Sequence, residues 1–205
     1  LLFLGDAADQ LAAKTADGVA RWRPDWCRGQ LRLPGCRADV GLPDMTLAEG
    51  RRAGARTLIF GVANRGGVIS DEWMTTLLEA LDAGYDIASG LHNRLSLLPR
   101  LTKRAEANNC RLFDVRYPEI DLAVAGGQPR SGRRLLTVGT DCSCGKMFSA
   151  LAIEREMRER GMPADFRATG QTGILIAGSG ISVDAVVADF ISGAVEWLAP
   201  AASTD

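Results

Sequence analysis

One stretch constrains this chain more than any other. Residues 134–157 run from a short apolar segment, through a loop bounded by glycines, into a long helical pattern. Leu135, Leu136, Thr137 and Val138 predict a strand. Gly139, Thr140, Asp141, Cys142, Ser143, Cys144 and Gly145 form the loop, and Lys146 and Met147 open the helix. That order suits a phosphate-binding loop. Glycine lets the backbone turn sharply and approach a ligand, successive N–H groups converge on one concavity, and the helix adds the positive end of its dipole. Lys146 supplies a mobile cation for phosphate oxygens. Residues 139–147 are therefore the candidate cofactor-binding set.

The match to the common pattern has two departures. Four residues separate the glycines in the usual motif, whereas five lie between Gly139 and Gly145. A longer loop of the form GTDxxxGK resembles that of dethiobiotin synthetase and its relatives. The residue after the lysine, usually a Ser or Thr that binds magnesium, is Met147. A thioether is a poor partner for a hard cation that wants oxygen, and Ser149, two positions on, is rotated by about 200°. Phosphate binding is thus expected, no metal site is expected, and ATP with magnesium is the less favoured ligand. The structural alternative is an ordinary strand-to-helix turn with a solvated Lys146.

Because the formal net charge is −1 and the pI about 5.9, the chain has no general basic field. Neither nucleic acid nor an anionic membrane is expected as a partner, and any anion must be held locally. No apolar run approaches the roughly 20 residues that span a bilayer. The opening LLFLGDAAD lacks the basic region and long apolar stretch of a secretion signal, so a soluble, cytoplasmic protein is expected. The five cysteines, Cys27, Cys36, Cys110, Cys142 and Cys144, show no paired metal spacing. Reduced thiols are favoured over a disulfide framework. Cys142 and Cys144 flank Ser143, and a catalytic cysteine is weighed there against small residues tolerated in a tight loop.

Elsewhere the chain alternates strand, loop and helix. Strands are expected at residues 1–4, 30–33, 57–62, 85–89 and 111–115. Helices are expected at residues 11–22, after a Thr46/Glu49 capping box, at residues 71–81 and at residues 96–108, with Pro99 in a first turn. The 205 residues allow one large domain or one and a half typical ones. This alternation predicts an α/β protein with a doubly wound parallel sheet. Residues 121–133, rich in glycine, proline and arginine, read as a linker. The division expected is an amino-terminal domain at residues 1–125 and a P-loop-like domain beginning at residue 126. Further on, strands are expected at residues 164–168 and, less regularly, 174–177, then a helix across residues 183–197. Two strand candidates after the loop are too few for a P-loop sheet, so a carboxyl-terminal part is expected to be absent.

Loops after the strands carry the remaining candidates. Asn64, Arg65 and Gly66 follow the strand at 57–62, and His92 and Arg94 follow that at 85–89. Open α/β sheets place ligands at the carboxyl ends of their strands, and an arginine there can grip a carboxylate with two parallel bonds. His92, the only histidine, is the candidate catalytic base, since imidazole accepts protons near neutral pH. An exposed hydrogen-bonding role is the competing reading. Thr169, Gln171 and Thr172 offer hydroxyl or amide contacts. Lys14 and Thr15 read as surface and packing residues. Asp184 reads either as a metal ligand or base, or as a partner of a helix dipole.

The segments LAAKTADGVARWRPDWCRGQL, TLIFGVANRGGVI, SGLHNRL, VGTDCSCGKM and ATGQTGILIAGSGISVDAVVADFISGAVEWL resemble, in that order, the D-glutamate N-acetyltransferase family. A Lys-Met pair at the end of the loop is usual in that family. The resemblance implies a Rossmann-like domain joined to a P-loop-like domain, and acetyl transfer from acetyl-CoA to the amine of a D-amino acid such as D-glutamate. A small amino-acid substrate and assembly as a homo-oligomer are expected with it. On this reading Asn64, Arg65, Gly66, Arg94, Thr169, Gln171 and Thr172 are substrate-binding candidates. The competing readings are an ATP-dependent ligase or kinase like dethiobiotin synthetase, and a non-catalytic nucleotide-binding module.

Overall fold

The alternation of apolar runs with capped helices builds a parallel sheet in the computed structural model, which describes residues 1–63, 68–141 and 143–200. The chain divides into two units, Leu1–Tyr117 and Pro118–Asp205.

In the first unit, β1 (Leu2–Gly5), β2 (Gln30–Arg32), β3 (Thr57–Phe60), β4 (Asp86–Ser89) and β5 (Leu112–Asp114) form one sheet in the order β2-β1-β3-β4-β5. Every pairing is parallel. Parallel strands need a crossover, and four helices supply it: α1 (Lys14–Trp22), α2 (Leu47–Arg52), α3 (Asp71–Asp82) and α4 (Pro99–Ala107). This is the doubly wound arrangement, with its strand order reversing between β1 and β3.

Local chemistry sets the boundaries. Pro24 follows the end of α1, where a missing N–H and a fixed φ prevent continuation. At α2 the Thr46 hydroxyl accepts the Glu49 N–H and the Glu49 carboxylate accepts the Thr46 N–H, completing the capping box. Ser70 caps α3 through the Trp73 N–H, and Pro99 opens α4 at a position whose N–H has no helical partner.

The core is apolar and aromatic. Phe3, Phe60 and Trp73 meet edge to face, with centroids 5.2 to 6.0 Å apart. Leu2, Leu4, Leu58, Leu77, Leu81 and Ile87 are buried around them. Gly61 lets β3 lie against α1, since a Cβ there would come within 2.5 Å of the Ala16 methyl. The outer strands β2 and β5 have three residues each.

The second unit is mainly helical: α5 (Lys146–Glu159), α6 (Gln171–Ala177) and α7 (Ile191–Leu198). The strand expected at residues 135–138 does not form. Leu135, Leu136 and Val138 are 68 to 79 % exposed, and a strand needs a neighbour to take its N–H and C=O groups. Of residues 164–168, only Ala168 makes a bridge, to Gly180. Residues 174–177 lie in α6 and are not strand. The helix expected across residues 183–197 is broken into two short 3-10 turns, Val183–Ala185 and Ala188–Phe190, before α7. Asp184 and Asp189 fall in those turns.

Residues 121–133, whose composition reads as a linker, are bound to α7. The Glu196 carboxylate accepts the N–H groups of Gly126 and Gly127, each at 2.9 Å, and pairs with Arg130 at 3.3 Å. Arg130 also donates to the Ala199 carbonyl at 2.8 Å, which tethers the end of the helix. Gly193 admits this strand of chain so closely that a Cβ would fall 1.6 Å from the Ala123 carbonyl oxygen. Among the described residues, no helix is long and apolar enough to cross a membrane.

Candidate functional site

The loop at residues 139–145 turns into α5 through two left-handed residues, Ser143 (φ 58°) and Gly145 (φ 97°). For Gly145 this conformation is free of the Cβ penalty, and it delivers the chain to the first turn of the helix. The helix then runs for 14 residues, long enough to carry a dipole, and lacks any acid in its first turn that would neutralise its positive end. Thr137 ties the incoming segment to that turn, its hydroxyl donating to the Lys146 carbonyl at 3.0 Å.

Inside the loop, a Cβ on Gly139 would lie 2.5 Å from the Cys144 sulfur. Only glycine allows the two sides of the loop to close to that distance. The Lys146 ammonium bends back over the loop, donating to the Asp141 carbonyl and lying 3.5 Å from the Cys144 sulfur. The Asp141 N–H, and to a lesser degree the Lys146 side chain, hold the Cys144 thiol below the ordinary cysteine range. Thr140, Asp141, Ser143 and Cys144 are exposed, while Gly145, Lys146 and Met147 are half-buried. Cys142 lies outside the described residues. Among the described residues, no group of three or more His, Cys, Asp or Glu side chains is placed to hold a metal ion.

The remaining candidates of the second unit lie around α6. Thr169 is exposed just before it, its carbonyl accepting the Val183 N–H at 3.2 Å, and Gln171 and Thr172 are half-buried in its first turn.

In the first unit the described candidates, His92 and Arg94, follow the carboxyl end of β4. Asn64, Arg65 and Gly66 lie outside the described residues. His92 is exposed, and its carbonyl accepts the Tyr117 hydroxyl. Arg94 stacks on the Tyr117 ring with its guanidinium carbon 4.0 Å from the centroid. The loop that carries both is braced from β5. The Asp114 carboxylate accepts the N–H groups of Leu95 at 2.7 Å and Ser96 at 3.0 Å, and the buried Arg116 donates to the Gly90 carbonyl at 2.9 Å. Asp114, Arg116 and Tyr117 were not among the residues expected to matter. Their partners lie 18 to 26 positions away in sequence, so no local pattern marks them. At the end of β1, Asp6 accepts the Trp73 indole N–H at 2.8 Å. Lys14 and Thr15 occupy the first turn of α1, Lys14 exposed and Thr15 buried.

Comparison with known proteins agrees with this two-part layout. A Rossmann-like domain of unknown function (DUF1611_N) matches residues 31–118, and its P-loop partner domain (DUF1611_C) matches residues 123–205. The chain belongs to the DUF1611 family. Among solved DUF1611 structures, a protein from Anabaena variabilis superposes with a TM-score of 0.81 at 30 % identity, covering 96 % of this chain and 60 % of its own. Two relatives carry the name D-glutamate N-acetyltransferase. The one from Tritonibacter scottomollicae is 57 % identical over 200 residues, and the one from a Pseudoalteromonas species is 46 % identical over 200 residues. Each alignment covers 98 % of this chain and 60 % of the relative, so the chain spans about three fifths of their length.

Proposed function

We propose that this chain serves N-acetyl transfer, moving the acetyl group of acetyl-CoA to the amine of D-glutamate or a similar D-amino acid. The observation that carries the reading is the identity of 57 % and 46 % with two relatives of that name across nearly the whole chain. The loop is compatible with it. Coenzyme A presents a diphosphate and a ribose phosphate, which converging N–H groups, a helix terminus and Lys146 can hold without magnesium. Met147 is a defect in a magnesium-dependent nucleotide site and is harmless here.

In the reaction, the ammonium of the amino acid first gives up a proton. Its nitrogen then attacks the thioester carbon, and the C–S bond breaks as coenzyme A leaves and takes a proton. In the first unit Arg65 and Arg94 are proposed to bind carboxylates; in the second, Thr169, Gln171 and Thr172 are proposed polar contacts. His92 is the proposed base. Direct transfer is favoured over an acetyl-cysteine intermediate.

The test is to titrate the protein with acetyl-CoA and with ATP separately, then measure thiol release in the presence of D-glutamate. Binding of acetyl-CoA without magnesium is expected, together with thiol release that requires the amino acid. Lys146→Met should weaken acetyl-CoA about ten- to a hundredfold, the range for one charged hydrogen bond. Magnesium-dependent release of ADP, with no thiol, would replace this reading with that of a ligase or kinase.

A further inference from the structure

Arginines over aromatic rings recur in the first unit, and one differs from the rest. Among the described residues, Arg23, Arg51 and Arg111 lie 5.1, 5.3 and 4.9 Å from the ring centroids of Trp26, Tyr85 and Phe113. Each also has a partner for its N–H groups. Arg23 donates to the Trp22 carbonyl and Arg51 to the Ala55 carbonyl, both at 3.0 Å, and Arg111 pairs with Asp86 at 3.3 Å. Arg94 lies nearer its ring, 4.0 Å from the Tyr117 centroid, and its exposed guanidinium has no hydrogen bond or ion pair to any described residue. Asp114, the acid that braces the same loop, is engaged elsewhere: its two oxygens accept the N–H groups of Leu95 and Ser96. A ring restrains a guanidinium through its charge and leaves the five N–H donors to other partners.

The backbone on either side of Arg94 is held as well. Arg116 donates to the Gly90 carbonyl at 2.9 Å, the Tyr117 hydroxyl donates to that of His92, and Asp114 holds the two residues that follow Arg94. These holding residues stand at and just beyond the end of β5, which pairs with β4. The sheet thus fixes the base of the loop. We propose that Tyr117 is a positioning residue that presets the Arg94 guanidinium, through its ring and through the loop its hydroxyl ties down, to receive a small carboxylate in two parallel hydrogen bonds. That this carboxylate belongs to an amino acid awaiting acetylation rests on the function proposed above; the preset arginine does not. A mobile arginine loses side-chain freedom when it grips an anion, and one already stacked loses less.

The experiment titrates the intact protein with D-glutamate and with glutarate, a dicarboxylate that has no amine. Calorimetry gives the affinities, and NMR follows the Arg94 Nε–H signal, identified by its loss in Arg94→Lys. That signal should lie upfield, in the ring current of Tyr117, and move when either carboxylate is added. Tyr117→Leu should abolish the upfield shift and weaken both carboxylates about tenfold. Tyr117→Phe, which keeps the ring, should preserve the shift and weaken them no more than about threefold. In the Arg94→Lys background, Tyr117→Leu should cost no further affinity. Absence of the upfield shift in the unsubstituted protein, failure of both carboxylates to bind, or an equal loss from Tyr117→Leu with and without Arg94 would each overturn the proposal. Carboxylates that bind at Arg94 while acetyl-CoA releases no thiol would leave the preset arginine standing and remove the transfer reading alone. Thiol release with neither carboxylate moving the Arg94 signal would do the reverse.

Discussion

The two units of this chain answer the same sequence signals differently. In Leu1–Tyr117 each apolar run finds a strand on either side or a helix above it, and Phe3, Leu58, Phe60 and Ile87 disappear from solvent. In Pro118–Asp205 the helices form, yet Leu135, Leu136 and Val138 stay exposed and pair with no strand. A helix satisfies its backbone within its own segment, whereas a strand borrows its hydrogen bonds from a neighbour. Helical signals other than that at residues 183–190 are thus realised locally, and strand signals only where the sheet is assembled.

That contrast can be broken by substitution. Phe60→Ala should cost about 3–5 kcal/mol, the range for removing a buried aromatic ring, and urea unfolding of the first unit would measure it. If the loss is under about 1 kcal/mol, the tight core ascribed to that unit is wrong. Gly193→Ala tests the tightest approach in the second unit. With the Ala123 carbonyl 1.6 Å from the new methyl, about 1–3 kcal/mol should be lost, visible as a lowered melting temperature. An unchanged melt would mean that residues 121–133 are not seated on α7 in solution.

Acid sharpens the comparison. The Gly126 N–H first, then the Gly127 N–H, hold the Glu196 carboxyl below the usual glutamate range. A carboxyl lowered in the folded state adds stability that is fully present above its unfolded value, about 4.3, and is lost as pH falls through the lower folded value. Amide protection at Gly126 and Gly127, corrected for intrinsic exchange, should therefore fall in that acid window. Glu196→Gln should abolish the dependence, while the sheet of the first unit keeps its protection. The smallest effect belongs to Val138→Ala, where an exposed side chain should change stability by no more than about 0.5 kcal/mol. A large loss there would show that residue 138 is packed after all.

How much was legible follows the same division. Thr46 with Glu49 and Pro99 announce helix starts because such signals act over a few residues, and β1 to β5 stand within two residues of the runs that predicted them. The turn from Gly145 into α5 at Lys146 could be read for the same reason, being consecutive in sequence. The seating of the Cys144 sulfur could not, because it depends on the left-handed turn at Ser143 and on how Lys146 folds back. Nor could Asp114 and Arg116, whose roles exist only once β5 lies beside β4. In the second unit periodicity misled. An apolar run alone does not distinguish a strand from a buried helix, and residues 174–177 became α6.

The brevity of the outer strands has a consequence for how copies of this molecule meet. A long, flat margin would offer a row of vacant donors and acceptors on which another polypeptide could zip. Here one margin is three residues of β2, bridged on its outer side from Gln30 to Asp44, and the other is three residues of β5 with the Arg111 guanidinium 4.9 Å above the Phe113 ring. Charge and shortness together make edge-to-edge growth costly, which disfavours runaway fibre formation and leaves self-association, where it occurs, to other surfaces.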